Sequence, residues 1–235
     1  MTNYFIDNTI RLAKHNVKIV FGGKFAYFIL AALVFFLLFG TIMAFEENYI
    51  EVYDIYNVLL LPAILLVFYP SAFGIQSDAD QRTLEIIFGI PDYRYKVWLV
   101  RLLMVLVICF VLLFPFAAIA HYALMSISIF KMVTQLMVVV ILTSTLGFCV
   151  STLVKSGNAT AVILVVIGLI FFFSYEALEE SKWNLFLNPF YAGFDGNDII
   201  WQQTLRQNRI ILLVSSVIFL LIGLLNLQKR EKFLR

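Results

Sequence analysis

Six long apolar runs constrain this chain more than anything else in it: Phe25–Phe45, Ile55–Ile75, Val97–Ala120, Met132–Val154, Ala159–Tyr175 and Ile210–Gln228. A helix needs about 20 such residues to cross the ~30 Å hydrocarbon core of a bilayer. Lipid offers no water to satisfy stray backbone N–H and C=O groups, so an unbroken apolar run must be a helix. A membrane β-barrel would show short segments of alternating polarity, and these runs are continuous. Composition agrees: of 235 residues, 62% are hydrophobic and 14% charged, against about 25% charged in a soluble domain. The expected fold is an all-α integral membrane protein of six transmembrane helices, a single transmembrane domain over residues 1–235. The first run is too long for the ~7–15-residue apolar core of a signal peptide, so it reads as a retained span.

Basic residues set the expected direction, because they concentrate on the cytoplasmic side. With the N-terminus inside, only Lys131, Lys182, Arg206 and Arg209 fall outside, leaving 13 of the 17 Lys and Arg inside. The first outer loop is acidic, with Glu46, Glu47, Glu51 and Asp54. Both termini are thus expected in the cytoplasm, in a multi-pass protein of the bacterial cytoplasmic (inner) membrane. Aromatic residues mark the interfaces: Tyr49, Tyr53, Tyr56, Tyr175 and Trp201 outside, Tyr93, Tyr95 and Trp98 inside.

Two segments outside the spans carry helical patterning. In residues 1–24, Ile6, Ile10, Ala13, Val17 and Val20 recur at helical spacing, with Arg11, Lys14, His15 and Lys18 on the other side. This predicts a basic amphipathic helix along the inner leaflet, an elbow into the first span. In the loop 76–96, Ser77 can cap a helix, with Asp78 and Asp80 in the first turn where the helix dipole favours negative charge. Leu84, Ile87 and Phe88 then share a face, Gly89 can supply a left-handed C-terminal cap, and Pro91 prevents continuation. A short amphipathic helix is therefore expected over about Asp78–Phe88, before the chain re-enters through Tyr93–Trp98.

This hairpin resembles that of the permease subunit of an ABC-2 type ABC transporter. Such permeases have acidic residues, a Gly-Thr-x-Glu core, apolar residues, a proline and then a basic residue entering the third span. The matching positions are Asp78, Asp80, Thr83, Glu85, Ile86, Ile87, Pro91, Arg94 and Lys96, with Arg82 where the family often has glycine. The motif covers about 20 residues. The six spans, the cytoplasmic ends, the amphipathic N-terminal helix and the long last outer loop extend the likeness over the whole chain. The resemblance implies an ABC-2 (type V exporter-like) architecture with a short cytoplasmic coupling helix. Its residues Asp78, Asp80, Arg82, Thr83, Glu85, Ile87, Phe88 and Pro91 would receive motion from a cytoplasmic ATPase. Glu85 would pair with a base such as Arg82, Arg94 or Arg101. It also implies two ABC ATPase subunits, carrying ATP and Mg, and a second permease copy or paralogue. The remaining partner is the lipid bilayer, and no nucleic acid is expected.

The residues themselves show no catalytic, cofactor or metal site. There is no G-x-x-x-x-G-K-[ST] sequence, and Gly22-Gly23-Lys24 lacks the earlier glycine and the hydroxyl residue of a phosphate cradle. ATP hydrolysis, if coupled, belongs to a separate chain. The two histidines, His15 and His121, stand apart from any Cys, His or carboxylate cluster, and no G-x-S-x-G elbow occurs. Cys109 and Cys149 both lie in apolar runs and read as small buried hydrophobes. No charge sits near a span's midplane, which argues against an ion-coupled carrier. Arg101, at the inner end of its span, is expected to reach the interface by snorkelling.

Thr143, Gly147 and Ser151 form a line of small residues on the fourth span, expected to pack it against the fifth or to line a pathway. Pro70 and Pro115 are expected to kink their spans. The loop 176–209 is dense in aromatics, and in the resembled family this region forms an outer gate; Phe186, Pro189, Phe190 and Tyr191 are its candidate residues, around a re-entrant turn or an interfacial surface loop. The leading expectation is an exporter permease. The alternative is a non-transporting membrane anchor or assembly subunit of a larger inner-membrane complex.

Overall fold

The computed structural model describes residues 25–46, 49–80, 89, 92–191 and 198–228, and every regular element among them is helical. The helices are α1 (Phe25–Glu46), α2 (Val52–Asp80), α3 (Val100–Ala123), α4 (Ile129–Val154), α5 (Gly157–Phe173), the short α6 (Tyr175–Leu178) and α7 (Asp198–Asn226). A π-helical segment, Arg94–Leu99, leads into α3. Five of these stretches are long and apolar enough to cross a membrane: Phe25–Phe45, Val52–Ser77, Val97–Ala123, Ile129–Val154 and Ile199–Asn226. These are the features of a multi-pass, all-α membrane protein. The expected fifth span, α5, has 17 residues and rises roughly 26 Å, somewhat less than the hydrocarbon core.

The long helices run alternately up and down, so the bundle has two ends. The hairpin end holds the exit of α2, the entry of α3, the α4–α5 turn and the exit of α7. The loop end holds the entries of α2, α4 and α7 and the chain after α5. At the hairpin end α4 stops because Lys155 turns left-handed, with φ 64°. Ser156 then caps α5, its hydroxyl accepting from the Ala159 N–H. At the other end His121 closes the α3–α4 turn, its Nδ1 accepting from the Ile127 N–H at 3.0 Å.

Helix α4 is the core of the bundle, packed against α2, α3, α5 and α7. Of its most apolar 18-residue stretch 61% is buried, against 22% for α1, whose large side chains Tyr27, Leu30, Phe35 and Phe39 face outward. Outward apolar side chains suit helices bathed in lipid, where burial brings no hydrophobic gain and close packing decides association. That packing rests on small residues. A Cβ on Gly147 would meet Ser71 Oγ at 2.6 Å and Ser71 Cβ at 2.8 Å. Ser151 Oγ, one turn on, donates to the Ala72 carbonyl of α2 at 3.3 Å. Gly223 of α7 gives the Phe148 ring the same intimacy, with a Cβ falling 2.7 Å from Cε1. The line Thr143–Gly147–Ser151 therefore packs chiefly on α2, with Leu164 of α5 only at its flank. The expected α4–α5 pairing exists but is the lesser contact.

Several expected boundaries move. Ser77 lies inside a helix and not before one: α2 continues through it to Asp80 and runs unbroken past Pro62 and Pro70. Ser caps a helix only where the preceding backbone is non-helical, and nothing at Ile75–Gln76 breaks the helix. Gly89 has a helical backbone, and among the described residues here it is Asp92 that is left-handed, with φ 55°. Asx side chains tolerate that conformation. The last helix begins at Asp198 and not at Ile210, about three turns earlier. Its first turns are polar, so an apolar count misses them, although Gln202, Gln203, Leu205 and Arg206 are good helix formers. The proposed elbow helix over residues 1–24 lies outside the described residues.

If the Gly147–Ser71 contact sets the α2–α4 distance, Gly147→Ala should lower the unfolding temperature of the detergent-solubilised protein, at a cost of about 1–3 kcal/mol. Gly168→Ala should not, because a Cβ there meets nothing within 4 Å. Equal unfolding temperatures for the two variants would contradict this packing.

Candidate functional site

The hairpin end gathers aromatic and basic side chains onto the entry of α3. Tyr93, buried, donates its hydroxyl to the Leu227 carbonyl just past α7. This bond and the cluster Ile75, Trp98, Leu102, Phe148 and Leu224 tie the α2–α3 connection to α4 and α7. Gln76, near the end of α2, accepts from the Gly157 N–H that opens α5. Asn226 Nδ2 reaches the Thr152 carbonyl of α4. Polar side chains thus cross-link the helix ends where backbone carbonyls run out of intrahelical donors.

Arg101 departs from expectation. It does not snorkel outward: it is 8% exposed and lies inside the bundle, its guanidinium 5.0 Å from the Trp98 ring centre. The π-helical widening places Trp98 under it, a cation–π contact worth ~2 kcal/mol or more when desolvated. What fails at this position is the expected snorkelling; Arg101 still lies at the start of its span. Arg94 instead lies over its neighbour Tyr95, at 5.4 Å. Asp78 and Asp80 belong to the last turn of α2. Arg82, Thr83, Glu85, Ile87, Phe88 and Pro91 lie outside the described residues, as does any pairing of Glu85.

The loop end is built from amides. After α6 the chain makes a series of turns that fold back onto the bundle. Asn184 Oδ1 accepts from the Phe186 N–H, and Asn188 Oδ1 from the Phe190 N–H, so each asparagine shapes its own turn. The Asn188 side chain also anchors the loop to a helix. Asn188 Nδ2 donates to the Tyr53 carbonyl at 2.8 Å and to Asn57 Oδ1 at 2.9 Å, both on α2. Asn208 of α7 donates to the Lys182 and Asn184 carbonyls at 3.0 and 2.8 Å. Arg209 donates to Gln135 Oε1 of α4 at 3.1 Å and to the Leu187 carbonyl at 3.1 Å.

Three of the four candidate outer residues pack through their rings. Phe190 lies against the fully buried Tyr56, Tyr191 sits edge-on to Tyr53 and Trp201, and Phe186 meets Phe171 of α5. Pro189 is half-buried between them. Leu185 and Leu187 plug the top of the bundle, 7% and 1% exposed. Residues 184–190 form a packed plug. Apolar sequence reasoning registered its aromatics and missed its amides. The readable signal was two asparagines four residues apart, with a third beside an arginine at the head of an apolar run.

Between the ends, the polar groups of α4 are mostly turned inward on their own helix. Thr143 and Thr145 donate to carbonyls three and four residues back. A small cleft between α2, α4, α5 and the plug is lined mainly by apolar side chains, with Ser71 and Thr143 among them. Among the described residues no group of three His, Cys, Asp or Glu is close enough to hold a metal ion. Comparison with protein-family models, with curated proteins and with solved structures finds no match to this chain.

The plug should loosen when its latch is removed. Each hydrogen bond to a charged group contributes ~1.5–3 kcal/mol, so Arg209→Ala should speed amide hydrogen exchange over residues 184–190 by about tenfold or more. Exchange measured by mass spectrometry should be unchanged in Arg206→Ala, whose side chain is exposed. Equal exchange in Arg209→Ala and the parent protein would contradict the latch.

Proposed function

We propose that the chain is the membrane-spanning permease subunit of an ATP-driven exporter of the ABC-2 type. It forms part of a substrate pathway and couples to separate ATPase chains. In this reading α5 is the fifth of six spans, residues 1–24 form the elbow helix, and the hairpin 76–96 faces the cytoplasm of a bacterial cell. Two ABC ATPase subunits bind ATP and Mg, and a second permease copy or a paralogue completes the pathway.

One observation carries the reading. Helix α2 continues past its apolar stretch to Asp80, and α3 is entered through a π-helical segment tied by Tyr93 to the end of α7. The chain between Asp80 and Asp92 therefore connects two rods that both pack on α4. A push on the connection between two packed rods would move both, and packed interfaces respond in discrete steps and not by continuous bending. The buried Arg101 next to this junction supplies a cation for a carboxylate such as Glu85. The anchor or assembly-subunit reading draws on the loop end, where the latched plug closes the bundle. Cargo-dependent ATP hydrolysis separates the two readings.

The affinity-tagged chain should co-purify with a Walker A ATPase from its native membrane. Glu85→Ala should insert normally yet lower transport-coupled ATP hydrolysis by about tenfold or more, within the usual range of coupling free energies. Wild-type coupling in that variant, or a purified chain with no ATPase, would contradict the proposal.

A further inference from the structure

The loop end carries four Lys and Arg residues: Lys131 in the first turn of α4, Lys182 just before the plug, and Arg206 and Arg209 in α7. Hydrogen bonds gather them on one side. Arg209 reaches Gln135, one turn along α4 from Lys131, at 3.1 Å. Arg206 lies one turn before Arg209 on α7. Asn208, beside Arg209, donates to the Lys182 carbonyl at 3.0 Å. Lys131, Lys182 and Arg206 are exposed. The Lys131 ammonium lies 5.6 Å from the Phe190 ring centre, and that of Lys182 lies 5.8 Å from the Trp183 ring centre. Among the described residues none of the four cations is paired with a carboxylate. Glu179 and Glu180 lie instead near Tyr191, and Asp54, at the entry of α2, accepts from the Glu51 N–H at 2.9 Å.

Cations gathered from three separate elements sum their fields and attract an anion. Their neighbours indicate where that anion comes from. Phe130, Trp183 and Ile210, next in sequence to Lys131, Lys182 and Arg209, are large apolar side chains left exposed. Apolar groups interleaved with cations suit the boundary between hydrocarbon and water, where Trp collects. Lys and Arg there lay their stems on apolar surface and hold their charges at headgroup depth. We propose that this basic side of the loop end binds the phosphate headgroup of an anionic phospholipid in the surrounding leaflet, and that the bound lipid braces the plug. A phosphate shared by Lys131, Lys182 and Arg206 joins α4, the chain entering the plug, and α7. The guanidinium of Arg206 offers the two-pronged contact that phosphate oxygens favour. Arg209 keeps its own role, donating to the Leu187 carbonyl within the plug. The inference does not depend on whether the chain exports anything.

The test places the full-length chain in lipid nanodiscs and reads amide hydrogen exchange over residues 184–190 by mass spectrometry. Three conditions are compared: phosphatidylcholine alone, phosphatidylcholine mixed with phosphatidylglycerol of the same chains, and phosphatidylcholine with inorganic phosphate in the buffer. The parent chain should exchange about tenfold or more slowly with phosphatidylglycerol than with phosphatidylcholine alone. Lys131→Gln, Lys182→Gln and Arg206→Gln should each return about fivefold of that protection, the equivalent of ~1 kcal/mol per basic residue at an anionic surface. The triple variant should return all of it. In phosphatidylcholine alone the variants should match the parent, and a variant that is faster there is read by its ratio between the two bilayers. Equal exchange of the parent in both bilayers would overturn the site. So would protection by phosphatidylglycerol that survives in the triple variant, locating the lipid elsewhere on the bundle. Equal protection by inorganic phosphate would overturn the lipid assignment in favour of a soluble anion.

Discussion

The close approach of α2 to α4 through Ser71, Gly147, Ala72 and Ser151 is the contact on which the rest of this bundle depends. Inside a bilayer apolar side chains gain nothing by turning from lipid to each other, so helices associate where backbones can come near. One glycine with no room for a Cβ, and one serine that spends its hydroxyl on a neighbouring helix's carbonyl, set that nearness here. Every other long helix then packs on this pair: α3 and α5 fit against both, α7 follows α4, and α1 rests mainly on α2. The outward faces are left apolar and exposed, as a lipid solvent requires.

The two ends complete the bundle by different chemistry. At the loop end amides and one arginine stitch a plug to α2, α4 and α7. At the hairpin end aromatic rings, one tyrosine hydroxyl and a buried arginine join the α2–α3 connection to the same core. A buried charge in a membrane bundle is costly and tends to mark function. In the proposed division of labour the plugged loop end faces outward and the hairpin end meets a soluble partner.

Much of the fold was legible because the membrane reduces the problem to counting apolar runs. Phe25–Phe45 and Met132–Val154 were located to within a turn. The misreadings have a common cause: hydropathy says nothing about where a polar stretch stays helical or folds back. The start of α7 at Asp198 was hidden by its polar first turns, and Ser77 looked like a cap because the helix before it was assumed to end with the apolar run. The candidate site was legible in outline only. The line Thr143–Gly147–Ser151 announced a packing face but not its partner, since spacing along one helix cannot identify the helix opposite. Arg101 was read as a snorkelling charge because no one-dimensional pattern shows that a π-helical turn places Trp98 beneath it. The amides Asn57, Asn184, Asn188 and Asn208 meet only in three dimensions, between residues more than a hundred positions apart in the case of Asn57 and Asn188.

The most direct test of the account is the sidedness of the two ends in intact cells. Single cysteines placed at Asp92 and at Trp183 report the hairpin and loop ends, and the native Cys109 and Cys149 are buried and contribute little labelling. With a membrane-impermeant maleimide, the account predicts that the cysteine at position 183 labels from outside and the one at position 92 labels only after the membrane is opened. Labelling of both positions from the same side, or of position 92 from outside, would contradict it.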